Sequence, residues 1–306
     1  MALAPTATNI GAKADVHDAQ MGGLHTRFGL PHLLGMGVMV IATTYFLLPL
    51  YWILVASTKS RDALLNSFGF WFSGRFDFFA NLGDLGTYDD GIYVRWLANT
   101  ALYALVAAVL GAFLSSMAGF ALAKYVFRGR DLVFSIILGA ILVPSTALVL
   151  PLYLLMSSVN LTNTYWSVLL PSMVSPFGVY LSRIYAAGSV PDDLLDAARV
   201  DGAGEFRTFT TVALRIMSPA LVTVFLFQLV AVWTNYFLPL VMLSDPNLFP
   251  ITVGLQTWFT TSGTNQLIPY NLVVIGSLIS VIPLVLGFLF LQRFWRTGLT
   301  AGGVRG

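Results

Sequence analysis

Six long apolar runs dominate this chain and limit what it can fold into. They extend approximately from Leu33 to Ala56, Trp96 to Ala123, Leu132 to Ser157, Trp166 to Ala187, Pro219 to Leu243 and Tyr270 to Gln292. A helix crossing a bilayer needs about 20 mostly apolar residues, and backbone facing lipid must satisfy its own hydrogen bonds. No Asp, Glu or Lys falls inside any run. Arg183 is the basic exception, expected near a helix end where it can snorkel to the headgroups. Composition agrees: 10% of residues are charged, against about a quarter in soluble domains. The expectation is an all-α polytopic membrane protein with about six transmembrane helices. Residues 1–31 form a disordered arm, 32–292 a membrane domain with a polar loop at 189–218, and 293–306 a tail.

Several chemistries are excluded at once. With no cysteine there is neither a disulfide framework nor a thiolate metal site. His17, His25 and His32 match no metal-ligand spacing. The lysines Lys13, Lys59 and Lys124 lack the glycine context of a phosphate-binding loop. No His with Asp or Glu clusters within the runs, as acid/base chemistry would require. The opening segment lacks the basic start, short apolar core and cleavage site of a signal peptide, so the first run is expected to remain as an anchor.

Charge placement gives an orientation. Lys13, Arg27, Lys124, Arg128, Arg130, Arg183, Arg199, Arg207, Arg215, Arg293, Arg296 and Arg305 fall on one side, and only Lys59, Arg61, Arg75 and Arg95 on the other. The positive-inside rule makes the first side, with both termini, cytoplasmic. In the second run Ala107, Gly111, Ser115, Gly119 and Ala123 recur every fourth residue, a ridge suited to close helix packing. Pro144, Pro151, Pro239 and Pro283 are expected to kink their runs.

Between the fourth and fifth runs lies "PDDLLDAARVDGAGEFRTF". Pro191 suits the first helical position, with Asp192 and Asp193 following in the first turn, and Gly202 suits a helix stop. A short helix, a hinge and a second helix leading into the fifth run are expected, with Ala197, Ala198, Gly202 and Ala203 at the tip. Asp192, Asp193, Asp196, Asp201 and Glu205 outnumber Arg199 and Arg207. A helix lying on anionic lipid is normally basic, so this composition favours a protein partner.

The stretch "DAARVDGAGEFRTF" resembles the coupling motif of ABC importer permeases, and "GLTAGGVRG" is similar to the tail of their carbohydrate-uptake, maltose-type branch. The resemblance implies ATPase coupling through Asp196, Ala197, Ala198, Asp201, Gly202, Ala203, Phe206 and Phe209, and a tail interface at Gly298, Leu299 and Gly302. It implies a second permease subunit, two ATP-binding-cassette subunits carrying ATP and magnesium, and an extracytoplasmic sugar-binding protein in a bacterial inner membrane. No cofactor is expected on this chain, and no nucleic acid as partner. Two positions depart from the pattern. Asp196 stands for Glu, which puts a long-reach ion pair in doubt, and Arg215 stands for Pro, which predicts a less kinked entry into the fifth run.

In the fifth run Gln228 and Asn235 are two helical turns apart, and Trp233 and Tyr236 lie close by. Amides beside aromatic faces suit a sugar, and equally suit interhelical bonding. The outer loop Lys59 to Arg95 suits a docked binding protein or a solvated turn. The same architecture fits an importer of another solute such as a polyol or glycerol phosphate. An ion-driven transporter would call for intramembrane carboxylates, which the runs lack.

Overall fold

The computed structural model describes residues 30–265 and 270–302. Two compact units divide the chain, residues 1–51 and 52–306. Apart from Leu30 and Pro31, the predicted N-terminal arm lies outside the described residues, as do His17 and His25 and the side chain of His32. The described residues contain helices and turns but no strand.

Helix α1, Leu30–Ser57, supplies the first run. Its threonines are satisfied within the helix: Thr43 Oγ1 donates to the Met39 carbonyl at 2.7 Å and Thr44 Oγ1 to Val40 at 2.9 Å. Two short helices follow, α2 (Arg61–Asn66) and α3 (Phe78–Thr87). Between α3 and the next helix, Asp89, Asp90 and Gly91 all have positive φ. Helix α4, Ile92–Lys124, has 33 residues, about 50 Å at 1.5 Å per residue.

The next three predicted spans are each broken. The third becomes α5 (Arg130–Leu142) and α6 (Val149–Ser158), joined by a short 3-10 turn and bent by 102°. Pro144 causes this, because it offers no N–H and drives Val143 into an extended conformation (ψ 123°). The fourth becomes α7 (Tyr165–Ser172) and α8 (Pro176–Ser189), restarted by Ser175 Oγ accepting from the Gly178 N–H at 3.2 Å with Pro176 at the first helical position.

The polar loop holds α9 (Asp192–Val200), α10 (Glu205–Thr208), a π turn over Phe209–Ala213, and α11 (Leu214–Ile216). The fifth run is α12 (Ser218–Trp233) and α13 (Phe237–Met242). Helices α14 (Ile251–Asn265) and α15 (Tyr270–Gly302) complete the described chain. Among the described residues, three helical segments are long and apolar enough to cross a membrane, and up to five are if each sharply bent pair counts as one span.

The prolines expected to kink their runs differ in effect. Pro144 breaks its run, whereas Pro151 and Pro239 are third residues of α6 and α13, where no intrahelical N–H bond is due. Pro283 leaves α15 continuous. Pro191 caps α9 (ψ 137°) instead of occupying its first position.

Helix α4 is the central post, packed on α8 and α12, and the small-residue ridge is the seam. A Cβ on Gly119 would lie 2.6 Å from the Arg183 backbone nitrogen and from Ser182 Cβ, and one on Gly111 would lie 3.1 Å from the Met173 carbonyl. Ser115 Oγ donates to the Ser175 carbonyl at 3.3 Å. Arg183, mid-way along α8, does not extend from a helix end; its guanidinium sits 3.6 Å from the Phe134 ring centre, a cation–π contact.

Candidate functional site

The three helix breaks converge on one cleft of about 880 Å³. Val143, Ser145 and Thr146 come from the first break, Ser172, Val174 and Ser175 from the second, and Thr234, Asn235 and Tyr236 from the third. Non-helical backbone at membrane depth is tolerated where it is buried in protein or lines a cavity. The cleft is that cavity. Its described lining holds hydroxyls, amides and the aromatic rings of Phe177, Tyr236 and Phe237, and none of these residues is charged.

Gln228 sits in the cleft wall, 9% exposed, and donates Nε2 to the Ser172 carbonyl at 2.5 Å. That carbonyl belongs to the last residue of α7, where the ladder leaves acceptors unpaired. Because α12 ends at Trp233, Asn235 lies beyond the helix and does not share a helical face with Gln228; the break brings both to the cleft instead. Asn235 Oδ1 accepts from the Leu238 N–H at 3.3 Å, restarting the chain as α13, and its carbonyl accepts from Thr252 Oγ1 at 2.8 Å. Trp233 is not among the lining residues. It is buried with Nε1 donating to the Ser280 carbonyl of α15 at 3.2 Å, the interhelical role. Tyr236 lines the cleft and also a second cavity of about 510 Å³ bounded by α14 and α15.

Sequence reasoning missed Ser145, Thr146, Ser172 and Ser175. Their signal was present: three of them adjoin a proline within an apolar run, as Pro144–Ser145, Pro171–Ser172 and Ser175–Pro176. Such a pair both frees backbone groups and supplies a short hydroxyl beside them.

The second constellation is the polar loop. Helix α9 ends in a Schellman motif: the Gly202 N–H bonds the Arg199 carbonyl at 3.0 Å and the Ala203 N–H bonds Ala198 at 2.9 Å. Gly202 stands at φ +78°, which a side chain with a Cβ adopts only with strain. At the position expected for a hinge the chain forms this turn.

Around it runs an ionic network. Arg199 donates to Asp196 Oδ1 at 2.8 Å and to both carboxylate oxygens of Glu205, at 3.0 and 3.3 Å. Glu205 also accepts from the Tyr125 hydroxyl, just past α4, and Lys124 pairs with Asp192 at 2.8 Å. The short Asp196 side chain thus pairs locally, within one helical turn. The hydrogen bonds from Arg199, then Tyr125, hold the Glu205 carboxyl below the usual carboxylate range. Tyr125 is pushed up to about 12, first by burial and then by its bond to Glu205.

Asp196, Ala197, Asp201 and Gly202 are exposed, and Ala198 and Ala203 are half-buried. Val200 and Phe206 project, 87% and 64% exposed. Phe209 does not: it is buried against Phe120 and Phe113, with ring centres 5.4 and 5.9 Å away. It belongs to a small core with Ala186, Val190, Leu195, Ala213 and Met217 that seats the loop on α4 and α8.

The loop does not enter α12 straight. The segment Glu205–Ile216 meets Ser218–Trp233 at 84°, which corrects the less kinked entry expected from Arg215. Pro219 lies in the first turn of α12 and supports a fresh helix start. The corner is packed and bonded: Met217 is fully buried, its N–H bonds the Ala213 carbonyl and its carbonyl accepts from Leu221.

The backbones of Gly298, Leu299 and Gly302 lie in the last turns of α15, and their side chains lie outside the described residues. Among the described residues, no group of three His, Asp or Glu is placed to hold a metal.

Broken helices around a neutral cleft, with a polar projection bonded to one end of the central post, define a membrane-embedded transport subunit. The chain belongs to the family described as binding-protein-dependent transport system inner membrane component, which matches residues 111–299. It is 39% identical over 216 residues to the arabinooligosaccharides transport system permease protein AraQ of Halalkalibacterium halodurans, covering 71% of this chain and 76% of that one. It is 30% identical over 260 residues to the maltodextrin transport system permease protein MdxG of Bacillus subtilis, covering 83% and 90%. A solved bacterial ABC transporter involved in the import of the acidic polysaccharide alginate shares the fold, with a TM-score of 0.73 and 23% identity over 85% of this chain and 95% of that one. The chain is thus a multi-pass inner-membrane permease subunit and not an enzyme, in line with the resemblance read from its motifs.

Proposed function

We propose that this permease forms half of the path by which an ATP-driven importer takes up a neutral sugar or short oligosaccharide, and that the cleft at the three helix breaks belongs to that path. The observation that carries the reading is the lining itself: hydroxyls, two amides and three aromatic rings, with no charge among the described residues. Such groups bond sugar hydroxyls and cover apolar ring faces, whereas a glycerol phosphate would call for a basic group. The sugar systems named for AraQ and MdxG support the same substrate class.

In this reading Asp196, Ala197, Ala198, Asp201, Gly202, Ala203 and Phe206 dock into a separate ATPase subunit, with ATP and magnesium bound there. Phe209 supports the docking surface from within. The bend at Met217 transmits the ATPase's motion to α12 as a rigid corner. Two ATPase subunits, a second permease and an extracytoplasmic sugar-binding protein complete the assembly, both termini of this chain are cytoplasmic, and Gly298, Leu299 and Gly302 touch the ATPase pair. Gln228, Asn235 and Tyr236 act in the cleft, while Trp233 braces α12 on α15.

The test is to purify the chain with its co-expressed ATPase and second permease, reconstitute it in vesicles, and measure ATP hydrolysis with candidate sugar-loaded binding proteins. Stimulation by a neutral oligosaccharide complex is expected. Uptake without nucleotide, or stimulation only by a phosphorylated solute, overturns the reading.

A further inference from the structure

Immediately after α1 the chain displays an aromatic surface that the transport reading does not use. Leu65, Phe68, Trp71, Phe72, Phe76 and Phe79 are 49–75% exposed within 15 residues of sequence. Several of the rings touch one another: Trp71 and Phe72 have centres 5.9 Å apart, and Phe76 and Phe79 6.3 Å. Large apolar side chains exposed together in this way mark a contact with membrane or protein.

Its height along the membrane normal is fixed by bonds to the end of α1. Lys59 Nζ donates to the Phe68 carbonyl at 2.7 Å and to Ser67 Oγ at 3.0 Å. The Asp77 N–H bonds the Thr58 carbonyl at 2.8 Å, and Asn81 Nδ2 bonds the carbonyls of Ser57 and Lys59 at 3.0 and 2.9 Å. A Cβ on Gly69 would lie 3.8 Å from Trp52 Nε1. Residues 67–81 are therefore held level with residues 52–59, and the apolar run of α1 ends at Ser57. That level is where the hydrocarbon gives way to headgroups, the zone that Trp and other amphipathic side chains occupy in membrane proteins.

We propose that residues 65–79 form an interfacial anchor, with Leu65, Phe68, Trp71, Phe72, Phe76 and Phe79 inserted at the headgroup–acyl boundary of the leaflet where α1 ends. Continuity with the spanning helix identifies lipid as the occupant. The charge within the segment is paired, Arg75 with Asp77 at 2.6 Å, and the exposed guanidinium is suited to headgroups.

The absence of cysteine allows a direct test. Phe68→Cys, Trp71→Cys and Phe79→Cys, with Asp84→Cys as an exposed polar control, would be introduced singly into the full chain. Each would be purified with its accompanying subunits, spin-labelled, and placed in phosphatidylethanolamine–phosphatidylglycerol nanodiscs. Labels at 68, 71 and 79 should collide with oxygen several times more than with a water-soluble nickel complex, and the label at 84 should show the reverse. As an independent readout, quenching of tryptophan fluorescence by brominated lipid should fall in Trp71→Phe. Labels as open to nickel as the control overturn the proposal, as do labels shielded from both reagents, which would mean a protein covers the patch.

Discussion

The Tyr125 hydroxyl donates to Glu205 Oε2 at 2.5 Å across 80 residues of sequence, joining the end of the central helix to the start of α10. Arg199 grips the same carboxylate from the other side. Beside the Lys124–Asp192 pair, this acidic side chain therefore ties the projecting loop to the membrane body. Glu205→Gln keeps the shape but loses the charge that Arg199 needs, and Tyr125→Phe removes one tie. Both should leave expression and membrane insertion intact while amides of α9 and α10 exchange severalfold faster, Glu205→Gln more so. Unchanged exchange in Glu205→Gln would show that the Phe209 core and the Lys124–Asp192 pair order the loop without it.

The same ties give a pH window. Glu205 is held below its usual range, so its contribution is full above the ordinary carboxylate pKa of about 4.3 and is lost as pH falls through its lower folded value. Tyr125 is raised to about 12, so its contribution is full below about 10 and lost as pH rises through 12. Amide protection in α9 and α10 is expected to be flat between pH 5 and 9 and to drop below pH 4. A fall between pH 6 and 8 would assign the loop's order to some other group.

Gly202 tests whether backbone shape governs docking. A Cβ there meets nothing within 4 Å, yet φ is +78°. Valine should be strained by about 1–2 kcal/mol and unwind the Schellman turn, whereas asparagine tolerates this region. Gly202→Val should thus abolish co-purification of the ATPase and Gly202→Asn should retain it, with both inserting normally. Equal loss in the two would point to a steric need for glycine at the docked surface.

On the α4 seam the constraint is space. At Gly119 a Cβ meets the backbone of α8 from two directions, Arg183 N at 2.6 Å and Val179 O at 2.8 Å, and backbone cannot step aside as a side chain does. Gly119→Leu should cost at least the about 1–3 kcal/mol typical of overpacking and lower the unfolding midpoint in detergent. Gly35→Ala, inside α1 with nothing within 4 Å, serves as the control and should not lower it, since alanine favours the helix.

Much of this was legible in the residues. The fourfold recurrence from Ala107 to Ala123 announced the seam because a small-residue ridge has few other uses, and Gly202 announced the helix stop. What the runs concealed was continuity. Hydropathy averages over a window, so Leu132–Ser157 reads as one span although Pro144 turns it through 102°. The same averaging placed Asn235 on a helix that ends two residues earlier. Phe206 and Phe209, three residues apart, looked equivalent; only tertiary packing separates the exposed ring from the one buried on Phe120.

The cleft provides the last test, because two of its amides have different duties. Gln228 braces the end of α7 through the Ser172 carbonyl, so Gln228→Leu strands that acceptor in a buried wall, a loss of about 1–3 kcal/mol. It should lower thermal stability and uptake together. Asn235 lies half-exposed at the third break, and Tyr236 beside it shows its ring to the cleft. Asn235→Ser keeps a short oxygen near the Leu238 N–H while shortening the reach into the cleft. Tyr236→Leu keeps the apolar bulk but removes the ring face and hydroxyl. Both should preserve the unfolding midpoint and ATPase co-purification, and slow sugar uptake by about tenfold, the equivalent of one lost hydrogen bond of about 1.4 kcal/mol. Wild-type uptake in both variants would remove the third break from the translocation path and leave the cleft a packing defect between α5, α7 and α12.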